Sequence, residues 1–153
     1  MDIEPGFTVA ELLAAAGPRF TFPMRVRFQD IDAAGIVFFG RIYDFVHDAY
    51  VAFLAARGAP LDEALRTRAW VAPIRRADGE FLRPMRFGDA IEVTLVRAHL
   101  NGSDLKLGWV VTGTDGKPAA VMRTHHVYVD PQTWKRTDAP PVVREAFAEF
   151  TAA

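Results

Sequence analysis

FQDIDAAGIVFFGRIYDFVHDAYVAFL, residues 28–54, decides how this chain reads. It sets one carboxylate, Asp32, after a strand-like run and before a glycine and a long amphipathic segment. From Gly40 to Arg57 the residues Ile42, Phe45, Val46, Ala49, Tyr50 and Phe53 recur at spacings of three and four. That periodicity predicts a helix with a broad apolar stripe. Gly58 and Pro60 end it. Asp32 is thereby aimed at the amino end of a helix. Unsatisfied backbone N–H groups there can polarise a carbonyl or hold a developing oxyanion. An acid beside such a site suits ester or thioester hydrolysis.

Working outward, Phe22 to Gln29 alternates. Phe22, Met24, Val26 and Phe28 share one face, and Arg25, Arg27 and Gln29 the other, which predicts a half-buried strand. Further upstream, Thr8-Val9-Ala10-Glu11 has the form of a capping box, so a short helix is expected to about Ala16, before Gly17-Pro18. Downstream of the long helix, residues 61–68 read as helical or irregular. Four strand-like runs follow, at about 70–76 continuing to Phe81, 90–100, 104–114 and 119–129. Asn101-Gly102-Ser103 and Thr114-Asp115-Gly116-Lys117 are turn signals, and short turns imply antiparallel neighbours. Pro140 to Phe150 reads as a terminal helix with proline at its start. The expected class is α+β, one antiparallel sheet packed on one long helix. A single domain over residues 1–153 is expected, with an N-terminal extension at 1–20 and a C-terminal helix within 137–153.

Composition narrows the function. The chain has 153 residues, half of them hydrophobic, enough for one sizeable core. Lys plus Arg is 18 and Asp plus Glu is 19, for a net charge of −1. Nothing in that balance favours nucleic acid or an anionic membrane surface. The absence of cysteine excludes disulfides, thiolate metal sites and a Cys nucleophile. The N-terminus lacks the basic start of a secretory signal, and no apolar run approaches the roughly 20 residues that span a bilayer. A cytoplasmic protein is the expectation.

The D-I-D-A-A-G-I-V-F-F run at 30–39, with FLRPMRFGDAIEV at 81–93 and RTHHVYVDPQTWKR at 123–136, resembles the hotdog-fold acyl-CoA thioesterases. The resemblance spans about residues 22 to 136. It is to the 4-hydroxybenzoyl-CoA thioesterase branch, and within it to the 1,4-dihydroxy-2-naphthoyl-CoA thioesterases of menaquinone and phylloquinone synthesis. It implies a five-stranded antiparallel sheet wrapped around one central helix, with short terminal helices. It implies an acyl-CoA substrate, no cofactor and no metal. It also implies active sites at a dimer interface, in a homodimer at least and a homotetramer by pairing of dimers. Carried over, Asp32 is the catalytic carboxylate, as nucleophile or general base. The backbone N–H of Phe39 polarises the thioester carbonyl, and Gly35 marks the tight turn towards the helix. Gly35, Val37, Phe38 and Tyr43 are candidate substrate-binding residues, with Ser103 in the hairpin near the CoA phosphates. The branch's hydroxybenzoyl enzyme has paired arginines in the hairpin corresponding to 97–103, where this chain has Arg97-Ala98-His99-Leu100-Asn101-Gly102-Ser103.

Each candidate has a plainer reading. Asp is a favoured turn and cap residue, so Asp32 alone proves little. Asp30 is expected to bond the loop backbone. His47, at the edge of the apolar stripe, is a structural histidine or one that orients water or a substrate hydroxyl. Asp44 and Asp48 are expected on the solvated face. His125 and His126 are adjacent on a strand and so point to opposite faces, one of them exposed. Ser103 lacks the G-x-S-x-G elbow of a serine nucleophile. Arg75, Arg76, Arg83, Arg86 and Arg97 are either a solvated basic face or anchors for the CoA nucleotide. Two other functions fit the same fold: a non-catalytic acyl-CoA or aromatic-ligand binding protein, and a hydratase or dehydratase using a helix histidine with an acid.

Overall fold

The long helix lies across one face of a five-stranded antiparallel sheet. A computed structural model describes residues 6–151. In chain order it comprises α1 (Val9–Leu13), β1 (Phe20–Arg25), a 3-10 turn (Phe28–Asp30), α2 (Arg41–Ala56), α3 (Leu61–Thr67), β2 (Ile74–Phe81), β3 (Ala90–Asn101), β4 (Asp104–Thr112), β5 (Pro118–Val127), α4 (Pro141–Ala146) and α5 (Ala148–Thr151). The strand order is β1-β3-β4-β5-β2, with every neighbour antiparallel. A sheet curled around a single central helix in this way is the hotdog arrangement that the sequence resemblance implied.

The core forms where the α2 stripe meets the inner face of the sheet. Ile42, Phe45, Val46, Ala49, Tyr50, Phe53 and Leu54 are buried on the helix, and Ile91, Val93, Leu95, Leu107, Trp109 and Met122 on the strands. Each Val, Leu, Ile, Phe or Met among them contributes about 1.5–3 kcal/mol by leaving water. Phe53 sits at the centre of an aromatic group, 5.4 Å from Phe20, 4.8 Å from Phe147 and 5.8 Å from Phe150 between ring centroids. The terminal segment is therefore bound to the helix by ring packing, with Arg57 bonded to Glu149 at 2.6 Å.

A bulge in β3 decides which residues face inward. Leu95 pairs with Trp109 and Arg97 with Gly108, which leaves Val96 as the extra residue. Before the bulge odd-numbered positions point to the helix; after it Ala98 and Leu100 do. One inserted residue reverses the alternation. Val96 joins Val110 and Val121 in a second buried cluster on the outer face, closed by Leu12 and Ala15 around α1. Three arginines fasten this segment: Arg19 to the Ala15 carbonyl at 2.7 Å, Arg97 to that of Ala16 at 3.3 Å and Arg123 to that of Phe7 at 2.8 Å.

Several boundaries differ from the sequence reading. The first strand ends at Arg25 instead of Gln29, because the Asp30 carboxylate draws the Arg27 N–H into a turn. Phe28 consequently leaves the core; it is 73% exposed and meets Phe87 edge-on. The terminal helix is two short pieces, broken at Phe147. The expected helix to Ala16 stops at Leu13, although the capping box at Thr8 and Glu11 forms as read. Residues 70–73 run beside the sheet, with Val71 bridging Val129 and the Pro73 carbonyl accepting from the Val127 N–H at 2.9 Å, and the continuous strand starts at Ile74.

Candidate active site

Asp32 stands on a short hairpin-like loop clamped from both sides. Ile31 bridges Val37 within the loop, and Ile36 bridges Arg86 outside it. The Asp32 N–H donates to the Ile36 carbonyl at 2.9 Å, and the Gly35 N–H to the Asp32 carbonyl at 3.0 Å. Gly35 has φ 78°, the left-handed conformation that glycine adopts without strain. One Asp32 oxygen accepts from the Ala34 N–H at 2.8 Å. Asp32 is exposed, so its carboxylate is anchored at one oxygen while it faces solvent.

Asp30 lies beneath and is fully buried. Burial by itself would raise its carboxyl, but side-chain and backbone hydrogen bonds from Arg27, with the charges of Arg27 and Arg41, hold it below the ordinary value. The Asp30 carbonyl accepts from the Phe38 N–H at 2.8 Å, which closes the loop. Its expected role, bonding the loop backbone, is what the geometry shows.

The chain then enters α2 through Phe38, Phe39 and Gly40. Arg41 N–H bonds back to the Phe38 carbonyl and Ile42 N–H to that of Phe39. Among the described residues, the N–H groups of Phe39 and Gly40 meet no acceptor. Two donors therefore project from the start of a 16-residue helix, where its dipole favours negative charge. An open cleft of about 520 Å³ lies there, lined by Gln29, Ile31, Asp32, Phe38, Gly40, Arg41 and Asp44.

The remaining candidates distribute as follows. Phe38 lines the cleft and Phe39 is 62% exposed, their rings 4.7 Å apart. Val37 is buried in the core and reaches Met85 through its N–H at 2.8 Å. Tyr43 is partly exposed on α2. His47 is also exposed, one helical turn beyond Asp44, its ring 5.8 Å from that of Tyr50. Neither residue lines the cleft. Ser103 sits in the β3–β4 turn and donates to Asp104 at 3.1 Å. Within one chain the length of β3 separates it from the Asp32 loop, about 40 Å at strand rise. Of the five arginines, Arg76 pairs with Asp78, Arg83 with Asp115, and Arg97 holds Ala16. Arg86 is the one whose backbone joins the Asp32 loop.

His125 and His126 do face opposite sides, yet both are buried. His125 Nε2 is 2.7 Å from Asp104, which Arg136 also contacts at 3.0 Å. His126 stacks on Tyr50 at 4.7 Å. Its Nε2 is 3.2 Å from Thr124 Oγ1, which accepts from Trp109 Nε1 at 3.3 Å. The Thr124 proton is then available to His126, which suits the neutral ring. Burial, then the charge of His47, pushes the His126 imidazole down to about 4. Among the described residues no three His, Asp or Glu side chains are grouped to hold a metal, and no helix is long and apolar enough to cross a membrane.

Sequence reasoning overlooked Arg41 and placed Asp44 only on a solvated face. Both line the cleft, joined to each other at 2.9 Å. The available signal was a cation in the first turn of a helix, against the dipole, with an acid three residues on.

Comparison with known proteins gives the family and the fold. The sequence model of the thioesterase-like superfamily matches residues 26–147. The 1,4-dihydroxy-2-naphthoyl-CoA hydrolase of Rippkaea orientalis is 35% identical over 114 residues, 73% of this chain and 83% of that protein. The structure of a 1,4-dihydroxy-2-naphthoyl-CoA thioesterase from Synechocystis superposes with a TM-score of 0.80 at 22% identity, covering 86% of this chain and 97% of that one. That of a gentisyl-coenzyme A thioesterase superposes with a TM-score of 0.74 at 28% identity, covering 84% and 99%.

Proposed function

The chain belongs to the thioesterase-like superfamily as a thioester hydrolase, and from that premise we propose that it cleaves an aromatic acyl-CoA, 1,4-dihydroxy-2-naphthoyl-CoA foremost, to the free acid and CoA. The observation that carries this reading is that the exposed carboxylate of Asp32 and Gly40, whose N–H like that of neighbouring Phe39 meets no acceptor among the described residues, line one cleft. The thioester oxygen docks on those donors, where helix dipole and hydrogen bonds stabilise an oxyanion. Asp32 attacks the carbonyl carbon or removes a proton from water. The relatives named for naphthoyl-CoA hydrolysis support the choice of acyl group.

The working unit in this reading is at least a dimer. β1 and β2 are the two edges of the sheet. β1 carries Pro23, which cannot donate to a further strand. β2 has no proline, and Ile74 and Phe81 on it are exposed. Pairing of two copies along β2 removes the open edge and brings the Ser103 turn of one copy towards the Asp32 cleft of the other.

The test is thiol release from a panel of acyl-CoAs by wild type and Asp32→Asn. Naphthoyl-CoA should be cleaved fastest, with a loss of at least a hundredfold in the variant. Preference for benzoyl or fatty acyl esters would discard the acyl group and keep the chemistry. Undiminished turnover by Asp32→Asn would overturn the mechanism. Ester binding without Asp32-dependent release would favour a binding protein.

A further inference from the structure

Arg41 stands where helix energetics would not place a cation. It is the first residue of α2, and acids are favoured at that end. A local rule broken in a cleft is a pointer to function. The Arg41 side chain is partly covered, with 38% of it left exposed. Among the residues lining the Asp32 cleft it is the only cation, with Asp32 and Asp44 as the acids.

Its present partners hold it lightly. Nη1 donates to Asp44 at 2.9 Å, but the Asp44 side chain is 57% exposed, and an exposed pair three residues apart on a helix is weak. Nε is 3.8 Å from Asp30. Asp30 already accepts three hydrogen bonds from Arg27, so the Arg41 charge is the smaller part of its support. The result is a partly exposed cation in the lining of the same cleft as Asp32.

Building on the thioesterase reading above, we propose that Arg41 is a catalytic residue whose guanidinium leaves Asp44 and stabilises the thiolate as CoA departs. The bond changes need no further reactant. If Asp32 takes a proton from water, hydroxide adds to the carbonyl carbon and the C=O pair moves onto oxygen. Collapse restores C=O and breaks C–S, and the proton on Asp32 passes to the sulfur. If Asp32 attacks directly, C–S breaks as the anhydride forms, and water then opens it. In both routes negative charge moves to oxygen and then to sulfur. The Phe39 and Gly40 N–H groups answer the oxygen, and Arg41 is the cation available to the sulfur.

The experiment compares wild type, Arg41→Gln, Arg41→Lys, Asp44→Asn and Asp32→Asn on an aromatic acyl-CoA and on thioesters of the same acid with progressively more acidic thiols. Arg41→Gln should lower kcat at least tenfold on the CoA ester, with partial recovery in Arg41→Lys. Its deficit should shrink as the thiol becomes more acidic and needs less help to leave. Thermal midpoints give the structural control, since Arg41→Gln and Asp44→Asn delete the same ion pair. Equal activity losses in those two variants, or a deficit independent of the leaving group, would overturn the proposal. So would an Arg41→Gln rate within threefold of wild type, while Asp32→Asn is inactive. That last result would leave the thioesterase reading standing. Absence of Asp32-dependent turnover in wild type would overturn both.

Discussion

Arg27 donates three hydrogen bonds to the fully buried carboxylate of Asp30: from its backbone N–H at 2.8 Å, from Nε at 3.1 Å and from Nη2 at 3.0 Å. The same aspartate takes the Phe38 N–H on its carbonyl. Asp30 therefore ties together both ends of the loop that displays Asp32. Asp30→Asn keeps the shape but loses charge-assisted bonds, and should cost about 1–3 kcal/mol. The accompanying loss of turnover should exceed what the unfolded fraction explains. Urea unfolding and activity on the same samples check both.

His126 gives the fold a pH dependence with a defined window. Its folded value near 4 lies below the ordinary 6.5, because burial and the charges of His47 and His125 disfavour the cation. The unfolded chain binds the proton first as pH falls. The stability from this group is thus complete above pH 6.5 and declines between 6.5 and 4, by about 3 kcal/mol in all. Asp30, held below its ordinary 3.8, is lost only at still lower pH. Urea midpoints from pH 7 to 4 should fall for wild type and stay flatter for His126→Gln. Parallel curves would refute the assignment.

Gly108 makes the outer seat for α1. A Cβ there would collide with Leu12 Cδ2 and press on Phe7 Cδ2. Gly108→Ala should destabilise by about 1–3 kcal/mol through overpacking. It should also expose residues near 10–17 to limited proteolysis before the rest of the chain. Mass spectrometry of the first cleavage products reads this directly.

Phe53 joins α2 to β1 and to both C-terminal pieces through its three ring neighbours. Phe53→Ala should cost about 3–5 kcal/mol. Phe53→Leu should cost less, since it leaves a smaller void. Thermal unfolding of the pair measures the difference. Equal losses would show that ring geometry, and not volume, sets the stability of this contact.

Much of the architecture was legible before the structure. The stripe from Ile42 to Phe53 and the Gly58 stop gave α2 almost to the residue, since both are local effects. Thr8 and Glu11 announced their own cap. The Asp32 loop was readable because an acid, a left-handed glycine and a helix start occur within nine residues. His126 was not readable, because its depth comes from the Tyr50 ring stacked on it and from Trp109, which bonds its partner Thr124, both distant in sequence. Phe28 was misread for a related reason. Alternation continued past Arg25, but the buried carboxylate of Asp30, two residues beyond Phe28, bent the chain away.

The amino-acid order by itself determined what neighbours along the chain decide: the helix, the turns, the number of strands and the placing of one acid before a helix start. The tertiary structure decided what strand pairing decides. The extra residue Val96 exchanges the two faces of β3 midway, and no local propensity marks it. Arg41 and Asp44 became part of the Asp32 cleft only when the 28–38 loop closed on Asp30. Such contacts depend on closing loops between distant segments, whose entropic cost is repaid only by the packed whole.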